Sequence, residues 1–166
     1  QPTTGKRIPG IMPANLEPNA CTLNCTMRIV SLVPSWTEYI VDLGLGHSLV
    51  GRTKFCVRAP GYLNTSSIVG GTKQFHVDRV RQLRPDFIVA SKEENTKELV
   101  EACGAFAQVI LTDVRSVPQA FDSMELLADT LGCSGAGKEW RAKTEKEWGE
   151  PKQTVARAVY TIWQNP

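Results

Sequence analysis

The chain has 166 residues, of which 42% are hydrophobic, 22% charged and 7% aromatic. These proportions are ordinary for a folded domain and exclude intrinsic disorder, collagen and coiled coil. A chain of this length can bury about 70% of the surface that its unfolded form exposes, so it can form one core but not two full-sized domains. The net charge of +2 is too small for a nucleic-acid-binding surface.

The sequence predicts neither a membrane span nor a metal site. No stretch approaches the roughly 20 consecutive apolar residues that cross a bilayer. Five cysteines without a CxxC pair do not match a structural zinc site. Because the first residue is Gln1, we expect that a leader has been removed. The compartment stays open among periplasm, cytosol and an organelle.

Residues 1–26 differ in character from the rest of the chain. They contain four prolines and no periodic apolar pattern, which predicts an extended arm. From Met27 a β-branched run leads to Pro34 and predicts a strand that is buried on both faces. The next helix is predicted to begin at a capping box, Ser35-x-x-Glu38, and to end at Gly44.

Strands and helices alternate through residues 27–133. The pattern predicts strands at 48–51, 86–90 and 108–111, with a short helix that ends before Pro85. Asn95 is the predicted cap of one further helix, and Ser116 opens an amphipathic helix that ends at Gly132. Strands separated by helices are typical of a parallel sheet that helices cover on both faces. The fold class is therefore α/β, a three-layer α/β/α lobe with a mainly parallel sheet.

Residues 134–166 form the last predicted region. A highly charged segment, 138–148, predicts a surface helix of about three turns. After Gly149 and Pro151, residues 156–163 have the pattern of one more strand.

Three stretches of the sequence resemble a known family. They are RIVSLVPSWTEYIVDLGLGHSLVGRTKFC, VGGTKQFHVDRVRQLRPDFIVASKEENTKELVE and VILTDVRSVPQAFDSMELLADTLG. Their order and spacing are similar to those of the N-terminal lobe of the helical-backbone (class III) substrate-binding proteins of ABC importers, most of all the cobalamin-binding branch. The resemblance implies two α/β lobes that are joined by a long helix and hold a large planar ligand between them.

The final VYTIWQNP is similar to the strand that begins the second lobe of that family. The predicted helix before it is shorter than the family's connecting helix, and no sequence follows Pro166. We therefore expect a chain with the first lobe only, whose second lobe is absent. The helix and final strand would be a remnant of the connection between lobes.

The resemblance also implies where a ligand would bind. In a parallel sheet, ligands collect beyond the carboxyl ends of the strands. Four predicted loops at that edge match ligand-facing segments of the family, and Trp163 matches a ligand-proximal position at the start of the second lobe. The predicted ligand-binding residues are Pro34, Ser35, Trp36, Lys54, Phe55, Cys56, Gly71, Thr72, Lys73, Ser91, Lys92, Asn95 and Trp163.

Some of these residues also have a structural interpretation. Ser35 and Asn95 suit helix caps, and Trp36 on a first helical turn suits core packing more often than ligand stacking. Gly71 belongs to a glycine pair that suits a turn with unusual backbone angles. Cys56 could ligate a metal or cobalt, although a small hydrophobic role is commoner.

Protein partners are the next implication. Asp78 matches an acidic residue that meets the permease in importer-associated relatives, although the helix dipole alone explains a carboxylate in a first turn. Trp140 and Trp148 are expected to be exposed on the charged helix and to be covered by a partner.

Two functions follow for the whole chain. No Ser-His-Asp order, GxSxG, P-loop or close carboxylate pair is present, so we predict no enzyme. The first function is a ligand-binding module for cobalamin, another tetrapyrrole or a metal chelate, although Thr72 and Ser91 stand where cobalamin binders carry aromatic residues. The alternative is a structural accessory subunit of a larger assembly, such as an organellar membrane complex, without ligand binding.

Overall fold

The structure is a computed structural model that describes residues 27–58 and 61–149. The predicted arm, the predicted final strand and Trp163 lie outside the described residues. The strands are β1 (Ile29–Ser31), β2 (Leu49–Thr53), β3 (Ser67–Gly70), β4 (Phe87–Ser91) and β5 (Gln108–Thr112). The α-helices are α1 (Pro34–Asp42), α2 (Val77–Gln82), α3 (Lys97–Gly104), α4 (Val117–Thr130) and α5 (Ser134–Trp148), and a 3-10 helix spans Gly46–Ser48.

The five described strands form one sheet in the order β3-β2-β1-β4-β5, and each neighbouring pair is parallel. β1 is buried along its whole length, as the apolar run from Met27 predicts. Parallel strands need crossovers, and α1, α2 and α3 lie in three of the four connections between consecutive strands, whereas the described part of the β2–β3 connection is a loop. The predicted α/β fold with a mainly parallel sheet is confirmed.

Two hydrophobic clusters lie on opposite faces of the sheet. Because side chains alternate along a strand, Ile29 joins the cluster with α1, α4 and α5, whereas Val30 joins the cluster with α2 and α3. Leu127 and Val80 are fully buried helical members of the first and second cluster, respectively. The layers are therefore helices, sheet and helices.

Two predicted helix caps are wrong. α1 begins at Pro34, which needs no N–H partner in the first turn, so Val33 occupies the N-cap position and Ser35 lies inside the helix. α3 has Thr96 at its N-cap position, so Asn95 lies one residue before the cap. The predicted start of the amphipathic helix at Ser116 is confirmed, since Ser116 occupies the N-cap position of α4 and its side chain accepts a hydrogen bond from the backbone N–H of Gln119.

Helix α5 begins four residues before the predicted start and spans 15 residues, so the estimate of three turns was too short. Its close approach to α4 depends on Gly137, where an added Cβ would lie 2.3 Å from the Cβ of Ala128. That approach brings the Trp140 ring edge-on to Tyr39, with 5.3 Å between ring centroids. Trp140 is therefore half-buried against the core and not exposed as predicted, whereas 64% of Trp148 is exposed.

Among the described helices, none has both the length and the apolar character that a membrane crossing requires.

Candidate functional site

The centre of the sheet is a topological switch point. β1 pairs with β2 on one side and with β4 on the other, so the chain leaves the centre in both directions. The crevice beyond the carboxyl ends of such strands is where open α/β sheets bind ligands. Because all the described strands run in the same direction, the predicted loops after β1, β2, β3 and β4 meet at this edge.

Asn95 joins three of these loops. Its Oδ1 accepts a hydrogen bond from the backbone N–H of Ser91 at 2.9 Å. Its Nδ2 donates to the carbonyl oxygen of Thr72 at 2.8 Å and lies 3.4 Å from that of Leu32. Asn95 is buried, so these contacts are shielded from water. The structure thus places Asn95 as a buried link between the loops after β1, β3 and β4.

The loops after β4 and β5 bond to each other. The Ser91 hydroxyl donates to the carboxylate of Glu93, and a second oxygen of Glu93 accepts from the backbone N–H of Val114 at 2.8 Å. The bond from Ser91 is the main reason why the pKa of Glu93 lies below its usual value. Lys92 reaches Asp113, with 3.0 Å between Nζ and Oδ2.

Asp113 also receives Arg115, with 2.8 Å between Nε and Oδ1. The Arg115 and Lys92 hydrogen bonds together lower the pKa of Asp113 to about 2. The carboxylate of Asp113 is therefore already occupied by two basic side chains.

Trp36 is a buried part of the edge. Its indole Nε1 donates to the hydroxyl of Thr112 at 3.0 Å, and that hydroxyl donates to the carbonyl oxygen of Ala90. Trp36 also contacts Tyr39 edge-on, with centroids 6.0 Å apart. Trp36 is therefore buried, as the expectation of core packing for a tryptophan on a first helical turn requires. Pro34 is half-buried and Ser35 exposed at the start of the same helix.

Cys56 lies inside the loop that follows β2. Its Sγ is 3.0 Å from the hydroxyl of Thr37 and 3.2 Å from that of Thr53. The residue is 1% exposed. Of the described residues, no three His, Cys, Asp or Glu side chains are grouped so that they could hold a metal ion. Cys56 is thus a buried thiol within a hydroxyl cluster.

Arg52 is a functional candidate that the sequence reasoning missed. Its side chain is buried at the end of β2, where Nε donates to the hydroxyl of Ser66 at 3.0 Å and one terminal nitrogen donates to the carbonyl oxygen of Leu63 at 3.0 Å. The other terminal nitrogen lies 3.4 Å from the carbonyl oxygens of Thr53 and Cys56. The available signal was an arginine at the end of an apolar run. Side chains alternate along a strand, so this arginine would face one of the two covered faces of the sheet.

The loops after β2 and β3 form an open surface, the β2–β3 rim, which consists of Lys54, Phe55, Gly71, Thr72 and Lys73. The backbone N–H of Lys54 donates to the carbonyl oxygen of Gly70 at 2.8 Å, which ties the two loops together. The Lys54 ammonium lies 5.1 Å from the centroid of the Phe55 ring. Lys54, Phe55 and Lys73 are exposed, and Gly71 and Thr72 are half-buried.

Gly70 shapes the turn behind this rim. Its φ of +141° is a conformation that residues with a side chain rarely adopt. An added Cβ would lie 2.6 Å from the Cα of Phe75, because the two residues form an antiparallel bridge. The predicted need for unusual backbone angles is therefore met at Gly70.

A cavity of about 580 Å³ lies beside α1 and the ends of β4 and β5, and none of the five rim residues lines it. Ser91 and Thr112 line it, so it reaches the carboxyl edge, and Trp36 and Met124 form part of its apolar wall. Arg58, from the loop that carries Phe55, also lines it. The volume lies within the range of small-molecule pockets.

Polar groups also line the cavity. Burial raises the pKa of the Asp42 carboxyl, and the nearby Trp140 indole opposes part of that rise. The Trp140 Nε1 itself meets no hydrogen-bond geometry with any described residue. Burial also raises the pKa of Tyr39, whose hydroxyl donates to the carbonyl oxygen of Met124. Glu38, Glu93 and Glu94 line the cavity as well, so its charge is acidic.

Asp78 lies elsewhere, exposed in the first turn of α2. Nothing in the structure tests whether it meets a permease, and the ligand-binding roles of the residues described above likewise stay predictions.

Comparisons with curated proteins agree with this architecture. A vitamin B12-binding protein of Photorhabdus laumondii is 26% identical over 104 residues, which are 62% of this chain and 38% of that protein. An uncharacterized ABC transporter substrate-binding lipoprotein of Bacillus subtilis is 27% identical over 112 residues, which are 64% of this chain and 34% of that protein.

Solved structures share the fold. A periplasmic heme-binding protein of Pseudomonas aeruginosa superposes with a TM-score of 0.65 at 24% identity, over 71% of this chain and 43% of that one. The periplasmic vitamin B12-binding protein of Vibrio cholerae gives 0.59 at 24% identity, over 70% and 48%. The chain thus spans less than half the length of these relatives. The family model for periplasmic binding proteins matches residues 29–161, so this chain belongs to the periplasmic binding protein family.

Proposed function

We propose that this lobe is a non-enzymatic module that holds one face of a large planar ligand at the carboxyl edge of its sheet. The ligand class is a corrinoid, another tetrapyrrole or a metal chelate. The observation that carries the proposal is the ring of Phe55, which is 52% exposed on the β2–β3 rim. An aromatic face one strand away from a switch point is suited to stack on a flat ligand that covers the crevice.

The Phe55 ring lies against the turn that follows β3. A Cβ added to Gly71 would lie 3.5 Å from Phe55 Cε2, so the β3 turn lies in contact distance of the ring. The β3 turn is fixed in its turn by the hydrogen bond from Asn95 to Thr72. A surface that is ordered before binding loses less conformational entropy when the ligand arrives.

The relatives support the same class of ligand. The curated relative from P. laumondii is named for vitamin B12, and the structural neighbours include heme-binding and B12-binding proteins. A ligand that lies over the switch point would contact the rim on one side and residues at the ends of β4 and β5 on the other. One wall covers only one face, so we expect the chain to bind more weakly than a site that encloses its ligand.

The test is a titration of the purified chain with hydroxocobalamin and with hemin, followed by the visible absorption bands. We expect saturable spectral shifts with at least one of the two ligands. Phe55→Ala should weaken the binding severalfold. Leu126→Ala is the matched control, because Leu126 is 53% exposed on α4. Absent shifts at high protein concentration, or equal losses in the two variants, would contradict the proposal.

A further inference from the structure

We infer that the β2–β3 rim selects a planar ligand that bears peripheral carboxylates. This inference rests on the proposed function and deepens it, since it names the charge of the ligand. It follows from the distribution of charged groups along the carboxyl edge.

A buried cation lies behind the rim. Arg52 is 9% exposed, and its hydrogen-bond acceptors are the hydroxyl of Ser66 and backbone carbonyl oxygens. Within residues 27–58 and 61–149, no carboxylate lies within ion-pair distance of its guanidinium. Buried charges are usually paired, because an uncompensated charge in a medium of low dielectric constant is costly. No described carboxylate neutralises Arg52, so its positive electrostatic potential acts at the carboxyl edge.

The exposed cations of the rim add to this field. Neither Lys54 nor Lys73 forms an ion pair in the described part of the chain. Lys92, at the other half of the edge, is by contrast paired with Asp113 at 3.0 Å. The cations on the β2–β3 side are thus available to a ligand, and the one on the β4 side is not.

The acidic groups are placed on the opposite side. Glu93 accepts from Ser91 and Val114, and Asp113 accepts from two basic side chains. The cavity beside Ser91 and Thr112 is lined by further carboxylates, including Glu38, together with one cation, Arg58. A ligand over the switch point would meet positive charge on one side and negative charge on the other. Its carboxylates would therefore point to Lys54 and Lys73 and away from the cavity.

This arrangement discriminates between ligands of the same shape. A carboxylate beside an ammonium forms a charge-assisted hydrogen bond, and the attraction weakens in salt, where the Debye length is about 8 Å at physiological ionic strength. Esterifying the carboxylates removes the charge and leaves the planar ring system in place. Hemin and hemin dimethyl ester are accordingly a matched pair of probes.

The experiment compares the affinities of hemin and its dimethyl ester for the purified 166-residue chain by absorption titration. We expect hemin to bind about tenfold more tightly at low salt, which corresponds to two partly desolvated charge pairs. The double variant Lys54→Gln/Lys73→Gln should reduce this ratio to about twofold, since it removes both ammonium groups that would pair with the carboxylates. Lys138→Gln on α5 is the control, because Lys138 is exposed and unpaired among the described residues, and it should leave the ratio unchanged.

The possible results separate the two ideas. If both porphyrins bind with equal affinity, or if the double variant keeps the full ratio, the charge selection is refuted while the planar site stands. If neither porphyrin nor hydroxocobalamin binds, the proposed function itself fails, and this inference fails with it.

Discussion

Asn95 offers the sharpest test of how the edge is built. Replacing it with Ala removes the acceptor for the backbone N–H of Ser91 and the donor to the carbonyl oxygen of Thr72, both within 2.9 Å. Each net hydrogen bond contributes about 0.5–1.5 kcal/mol, and a buried group left without a partner costs about 1–3 kcal/mol more. Since Ser91 is buried, we expect Asn95→Ala to lower the free energy of unfolding by about 2–4 kcal/mol.

The measurement is urea unfolding at pH 7, followed by circular dichroism and tryptophan fluorescence. Asn64→Ala is the matched control, because Asn64 is exposed and makes no hydrogen bond with a described side chain or backbone group, so its change should stay within about 0.5 kcal/mol. Asn95→Asp is the isosteric variant. It keeps the acceptor for Ser91 but directs a carboxylate at the carbonyl oxygen of Thr72, so it should not restore stability at pH 7. A loss below about 0.5 kcal/mol for Asn95→Ala would refute the linking role.

Two further predictions concern stability. Gly137→Ala should destabilise the chain by about 1–3 kcal/mol, because the new Cβ would lie 2.3 Å from Ala128, whereas Gly135→Ala in the same helix meets nothing within 4 Å and should stabilise it by about 0.5–1 kcal/mol. If the urea midpoints of Gly137→Ala and Gly135→Ala moved in the same direction, the close packing of α5 against α4 at Gly137 would be contradicted. Asp113→Asn should be less stable than the wild type at pH 7, because the Arg115 hydrogen bond lowers the pKa of Asp113 to about 2. A lowered pKa stabilises the fold above the unfolded value near 3.8, so this difference should shrink as the pH falls below about 4 and vanish at about pH 1, and its full persistence there would refute the pairing.

The fold could be predicted because its signals are local. A β-branched run that is apolar at consecutive positions is typical of a strand between two helical layers, and β1 with Ile29 and Val30 facing opposite clusters has that environment. Glycines after apolar stretches likewise mark where helices end, as Gly44 does with a φ of +82°. Patterns of this kind depend on residues within one or two turns of each other.

The side-chain contacts of the site could not be predicted, because they join distant parts of the chain. Asn95 precedes a helix and fits a cap in every local respect, yet its acceptor Thr72 is 23 residues away in sequence. Trp140 belongs to a highly charged segment that indicates a surface helix. Its burial becomes apparent only once Gly137 has brought α5 against α4 and the ring against Tyr39.

The two halves of the carboxyl edge use their polar groups differently, and we expect this difference to separate the predicted residues that bind a ligand from those that stabilise the fold. On the β4–β5 side, Ser91 and Trp36 have their donors engaged with other protein groups. A ligand that bound there would have to break bonds that the fold needs. On the β2–β3 side, Lys54, Phe55 and Lys73 are exposed, and neither lysine forms an ion pair within the described residues. Affinity for an external ligand should therefore depend on the rim, whereas substitutions across the switch point should change stability first and affinity only as a consequence.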